Sequence, residues 1–239
     1  MSVDAPSSPI LPRQRQLFFE AANRPSLARR ALGEGVATMA LTMAVVFAAK
    51  ATWLGPLRPL ALGIGVPAAV AALTLTFGPA TGGHFNPLVT ASQWMRGHRN
   101  TRCLVAYVCA QLLGAFLGAV VAVLFVLPAT PDPPASTGAV IGSEIFASTG
   151  LITIVLASSL VTGPSVGLLG VLGWLVMINL AMPAAAFANP VLALAAPLAM
   201  GTLRAPMALT HIAAECIGAS MALLVVATIY PSNGRHDDV

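Results

Sequence analysis

Between Glu144 and Arg204 the chain carries no charged residue, and the stretch from Cys103 to Pro131 is equally free of charge. Soluble domains average about 25% charged residues, whereas this chain has 8% charged and 57% apolar residues. A helix needs about 20 apolar residues to cross a bilayer, so these stretches read as membrane spans. No plausible soluble core could hide so much apolar surface. Full spans are expected at about 32–52, 60–78, 103–127, 140–160, 166–183 and 207–230, joined by Pro- and Gly-bearing turns at Gly55-Pro56, Pro131 to Pro134, Gly163-Pro164 and Pro206. The expected class is an all-α membrane protein.

A net charge of +4 could suggest nucleic acid, but its distribution argues against that partner. Arg13, Arg15, Arg24, Arg29 and Arg30 precede the first span, and Arg96, Arg99 and Arg102 lie between the second and third. That asymmetry is the signature of cytoplasmic segments. The polar tail before Ala31 lacks the apolar core and small-residue cleavage site of a signal peptide. Cys103, Cys109 and Cys216 follow no redox or metal spacing and read as small buried hydrophobes. His98, His211 and His236 are scattered and form no metal set.

Two further apolar pieces, about 86–95 and 189–200, are too short to cross. Each starts on an Asn-Pro pair, Asn86-Pro87 after Gly82-Gly83-His84-Phe85 and Asn189-Pro190 after Ala186-Phe187-Ala188. Asn suits a helix N-cap and Pro the first helical position. Non-helical backbone at membrane depth must be buried in protein or line a wet cavity, which makes both segments re-entrant.

The pairs belong to an internal repeat. Gln111-Leu112-Leu113-Gly114-Ala115 begins 25 residues after Asn86, Glu215-Cys216-Ile217-Gly218-Ala219 begins 26 after Asn189, and Glu34 and Glu144 occupy comparable places in spans one and four. Three spans separate equivalent points, so the halves run in opposite directions across the membrane. With the N-terminus in the cytoplasm, the half-helices enter from opposite sides. Their positive dipole ends then meet near the midplane, where the Asn86 and Asn189 amides can donate hydrogen bonds. Such a centre suits neutral solutes with an acceptor oxygen and disfavours cations.

These residues resemble the aquaporin and aquaglyceroporin superfamily of major intrinsic proteins, through Gly83-His84-Phe85-Asn86-Pro87 with Val89-Thr90, the second Asn189-Pro190, Glu34, Glu144 and Gln111 with Gly114-Ala115. The resemblance implies a right-handed bundle of six transmembrane helices and two re-entrant half-helices, with repeats at about 32–127 and 140–230 in one channel domain, 32–230. Residues 1–31 and 231–239 would be cytoplasmic tails. It also implies a homotetramer in a bacterial inner membrane, with one pore per subunit, passive transport and no cofactor.

The family's central motifs read Asn-Pro-Ala, but here Leu88 and Val191 occupy the third positions. Family spacing assigns the selectivity filter to Val66, Met177, Ala186 and Leu192. All four are apolar, and Leu192 replaces the familiar Arg. Met177 lies at the lumen if the fifth-span register holds, and otherwise packs between helices. Phe187-Ala188-Asn189-Pro190 looks like a bacterial branch associated with arsenic resistance, in which an aliphatic residue likewise replaces the filter Arg. The resemblance thus implies arsenite or other metalloid hydroxides, glycerol-like solutes and water as candidate cargo.

Glu34, Glu144 and Glu215 are intramembrane carboxylates and hence functional candidates. With Gln111, they also suit structural support of the re-entrant loops. His84 either packs beside the first loop or gates the inner mouth by titration. No catalytic triad or phosphate loop is present, which argues against an enzyme. A secondary transporter with broken helices and a non-conducting membrane structural protein remain the alternatives.

Overall fold

The computed structural model describes residues 25–125, 135–161, 164–201 and 205–230. Residues 1–24 and 231–239 of the expected tails, with Arg13, Arg15, Arg24 and His236, lie outside the described residues, as do Pro131 to Pro134, Gly163 and Arg204.

The described elements are helical, with no strand among the described residues. In order they are α1 (Leu27–Ala49), α2 (Val66–Thr81), α3 (Pro87–Met95), α4 (Thr101–Val123), α5 (Thr137–Val161), α6 (Pro164–Ala181), α7 (Pro190–Met200) and α8 (Ala205–Ile229). Among the described residues, five helical stretches are long and apolar enough to cross a membrane: Leu27–Ala49, Leu54–Thr81, Thr101–Val123, Thr137–Leu160 and Pro206–Ile229. α6 has 18 residues, about 27 Å at 1.5 Å per residue. The chain is a multi-span membrane-embedded helical bundle.

Local chemistry sets the helix starts. Ser26 caps α1, so that helix begins before residue 32, inside the tail expected at 1–31. The Asn100 carboxamide oxygen accepts the Cys103 N–H at 2.9 Å and starts α4. The second span differs from a plain helix. It enters through a short turn at Arg58–Leu60 and a π-helical segment at Ala61–Gly65 before α2. Pro67 has no N–H for the Gly63 carbonyl, so the regular ladder cannot run through this point.

The most extensive helix pairs are α1 with α4 and α5 with α8. Small residues permit these contacts, because a Cβ at Gly114 would meet the Gly35 carbonyl, one at Gly118 the Met39 carbonyl, and one at Gly218 the Ile145 carbonyl. In lipid, packing of this kind replaces the hydrophobic drive between helices. The outward faces carry large apolar side chains such as Leu113, Leu117, Val120, Leu209 and Leu224.

The expectation that all three cysteines are buried fails for two. Cys103 is buried, but Cys109 and Cys216 are exposed on the outer faces of α4 and α8. An apolar span places small hydrophobes on either side, because lipid replaces the core as their apolar surroundings.

Candidate functional site

α3 and α7 start at Asn86 and Asn189, whose backbones are extended at φ −154° and −159°. Pro87 and Pro190 take the first helical positions. Immediately before them, Phe85 and Ala188 adopt left-handed backbones at φ 48° and 46°, each costing about 1–2 kcal/mol for a non-glycine residue.

Two buried carboxylates over-determine these turns. Glu34 accepts the backbone N–H groups of His84 at 3.1 Å and Phe85 at 2.7 Å. Glu144 accepts those of Phe187 at 2.8 Å and Ala188 at 2.9 Å. The turned backbone aims each carbonyl at the opposite loop. Asn86 Nδ2 donates to Ala188 O at 2.7 Å and Asn189 Nδ2 to Phe85 O at 2.9 Å. An Asn amide has two N–H donors, so each retains one.

The two Asn residues are not equivalent. Asn86 Oδ1 caps α3 by accepting the Leu88 N–H at 2.8 Å, whereas Asn189 makes no side-chain cap. Its backbone N–H instead donates to Glu215 Oε1 at 2.9 Å, and its Oδ1 has no partner among the described residues. Leu88 packs in the cluster containing Ala147, Leu151 and Ala188. Val191 packs with Ala115, Ala119 and Ala195.

Behind the first loop, Gln111 Nε2 donates to Glu34 Oε2 at 2.8 Å and to Thr90 Oγ1 at 3.2 Å. Behind the second loop stand Glu215 and His211, whose Nδ1 lies 2.6 Å from Glu144 Oε1. The sequence marks His211 only as one of three scattered histidines with no metal set, although two signals point to a supporting place behind the loop. It precedes Glu215 by four residues, on the same helix face, and follows Tyr107 by the same 104 residues that separate Glu215 from Gln111.

Glu215 Oε2 is buried without a partner among the described residues. Glu215→Gln preserves the acceptor for Asn189 N–H and removes a buried carboxyl with an unmet oxygen. Thermal unfolding in detergent is therefore expected to show stability unchanged within about 1 kcal/mol or increased. A loss above about 2 kcal/mol would show that the carboxyl itself is required.

His84 is enclosed by a directed network. Arg99 Nη2 lies 3.3 Å from His84 Nε2, and Arg99 Nε donates to Gln93 Oε1 at 3.0 Å. A guanidinium only donates, so Nε2 must accept and the ring proton resides on Nδ1. That proton faces Thr90 Oγ1 at 3.0 Å, and the Thr90 hydroxyl donates to Asn86 O at 3.1 Å. In this arrangement His84 positions the first loop, and a proton could reach Nε2 only by displacing Arg99.

The helix starts border a cavity of about 120 Å³, room for several water-sized molecules. Val66, Ala186 and Leu192 line it with Asn86 and Asn189, and His84 and Thr74 are also among its lining residues. Met177 packs against the apolar cluster of α5 and α6 and is not among the lining residues. Asn179, unremarked in the sequence, lines the cavity from the same helix. The N-terminal ends of α3 and α7, which carry partial positive charge, both meet at this largely apolar cavity.

The family model described as "Major intrinsic protein" matches residues 21–181. An uncharacterized aquaporin-like protein of Haemophilus influenzae is 41% identical over 49 residues, 20% of this chain and 23% of that protein, so the matched chain spans about a quarter of that relative's length. The X-ray structure of the aquaglyceroporin from Plasmodium falciparum superposes with a TM-score of 0.62 at 18% identity, over 86% of this chain and 98% of that chain. At that identity the likeness concerns the fold alone.

Proposed function

The chain belongs to the major intrinsic protein family, and from that premise we propose a passive channel for small neutral solutes, with arsenite or other metalloid hydroxides, glycerol-like molecules and water as candidate cargo. Family membership and the membrane-embedded bundle fit passive transport rather than enzyme chemistry. The observation that carries the reading is the reciprocal pairing of Asn86 with Ala188 O and Asn189 with Phe85 O beside an apolar cavity. It leaves two oriented donors at a junction of positive helix ends.

In the proposed architecture, six spans and two half-helices form a single channel domain, 32–230, as a right-handed inverted repeat. α3 and α7 have nine and eleven residues, together about 30 Å of helix and hence about one bilayer crossing. Asn86, Pro87, Leu88, Asn189, Pro190 and Val191 form the pore centre. Val66, Ala186 and Leu192 form an apolar constriction, supported behind the loops by Glu34, Glu144, Gln111 and Glu215. The assembly is a homotetramer in a bacterial inner membrane, with cytoplasmic termini. Loss of a filter guanidinium at Leu192 favours a broader neutral-solute range, because that wall offers no charged group for strict selection.

Stopped-flow measurements on proteoliposomes with water, glycerol, urea and arsenite test this reading. At least one uncharged solute besides water should cross faster than in protein-free vesicles without an ion gradient, and Ala186→Trp should reduce that flux about tenfold by filling the lumen. Water flux alone would reject the broad solute range. Saturable flux that requires an ion gradient would identify a transporter, and no flux would favour a structural protein.

A further inference from the structure

We propose that Asn179 is a specificity-determining residue of the lumen, its side-chain oxygen accepting a hydrogen bond from solutes that carry O–H or N–H groups. This inference rests on the channel reading of the cavity. α6 presents Leu168, Val171, Leu175 and Asn179 to the cavity, a spacing of three, four and four residues that follows one helix face. Met177 lies two residues beyond Leu175, about 200° around the helix, and therefore faces elsewhere. Asn179 places a carboxamide where the filter assignment by sequence spacing gives only apolar side chains.

Its orientation follows from one hydrogen bond. Asn179 Nδ2 lies 2.8 Å from the Leu175 carbonyl, which can only accept, so the amide nitrogen faces Leu175 and Oδ1 is left as an acceptor. No partner for Oδ1 occurs among the described residues. The half-buried side chain borders the cavity shared with Val66, Ala186 and Leu192. A solute passing those apolar walls loses water contacts, and Asn179 supplies an acceptor for one of its donors.

The rest of the polar lining has complementary character. Asn86 and Asn189 each spend one amide N–H on the opposite loop and retain a second as a donor. The lumen thus combines an acceptor on α6 with donors at the two loops. Hydroxyl and amide solutes can use both kinds of site. A solute with acceptors alone can use only the loop donors.

The test compares urea with dimethyl sulfoxide, a small solute without hydrogen-bond donors, in proteoliposomes containing the full chain. Protein-free flux is subtracted for each. Asn179→Leu should lower urea flux by about fivefold or more, on the scale of one lost hydrogen bond, with dimethyl sulfoxide flux maintained or increased. Asn179→Ser should retain part of the urea preference, because its hydroxyl can donate to Leu175 O while its oxygen still accepts. Monodispersity in detergent monitors folding, and the serine variant provides a second reading if the leucine variant misfolds.

Equal losses of both solutes would make Asn179 structural and overturn the inference. The same follows if neither variant changes the solute ratio while Ala186→Trp still blocks flux, because the pathway then exists without selection at Asn179. If neither solute crosses the wild-type protein and no other neutral solute does, the channel reading fails and removes this inference with it.

Discussion

Glu34→Ala should abolish assembly of the first re-entrant loop and, with it, most solute flux. The carboxylate accepts from His84 N–H, Phe85 N–H and Gln111 Nε2, and an alanine side chain offers none of them an acceptor. Each buried donor left unmet costs about 1–3 kcal/mol, so losing the partner of the two backbone N–H groups alone removes a large share of the roughly 5–15 kcal/mol margin of a typical folded domain. Phe85 would also lose the contact that holds its left-handed backbone, and the carbonyl aimed at Asn189 would turn away. Size-exclusion profiles and thermal unfolding in detergent should reveal the destabilisation. Glu34→Gln should be milder because one acceptor oxygen remains, although its new amide group opposes a donor. Normal stability and flux in Glu34→Ala would refute the carboxylate's supporting role.

Gly114→Val should separate α1 from α4. A Cβ at this glycine meets the Gly35 carbonyl oxygen and neighbouring backbone rather than a side chain able to rotate away. Overpacking of this kind costs about 1–3 kcal/mol and occasionally more, and the Gly118 contact with Met39 lies one helical turn further along the same pair. The yield of monodisperse membrane-extracted protein should fall about fivefold or more. Gly142→Ala is the matched control, because a Cβ there meets no atom within 4 Å. Equal yields from Gly114→Val and the wild type would show that this close helix contact is dispensable.

The central site was legible from the sequence to the extent that local rules determine it. Asn-Pro after a small-residue loop specifies where a short helix can begin, and both starts occur at the expected residues. Glu34 and Glu144 also stand out, since isolated carboxylates in apolar spans require polar partners. Arg99 was visible only as a topology charge, because its contacts with Gln93 and His84 depend on the turn after α3. The spacing implied by the family resemblance selected Met177, but the face α6 presents to the cavity passes through Leu175 and Asn179. A residue count specifies distance along a chain, whereas lumen exposure depends on rotation about the helix axis and on the neighbours packed around it.

The sequence by itself determined the membrane-embedded helical class and the two Asn-Pro helix starts, because apolar length and capping chemistry act over one helix at a time. Tertiary structure decided which side chains meet across those starts: Asn86 reaches Ala188 O, Asn189 reaches Phe85 O, and His211 reaches Glu144. It also decided that Asn86 caps its helix while Asn189 gives its backbone N–H to Glu215. These partners lie on separate segments, so their hydrogen bonds form only when helix packing fixes both the distance and the direction of each donor and acceptor.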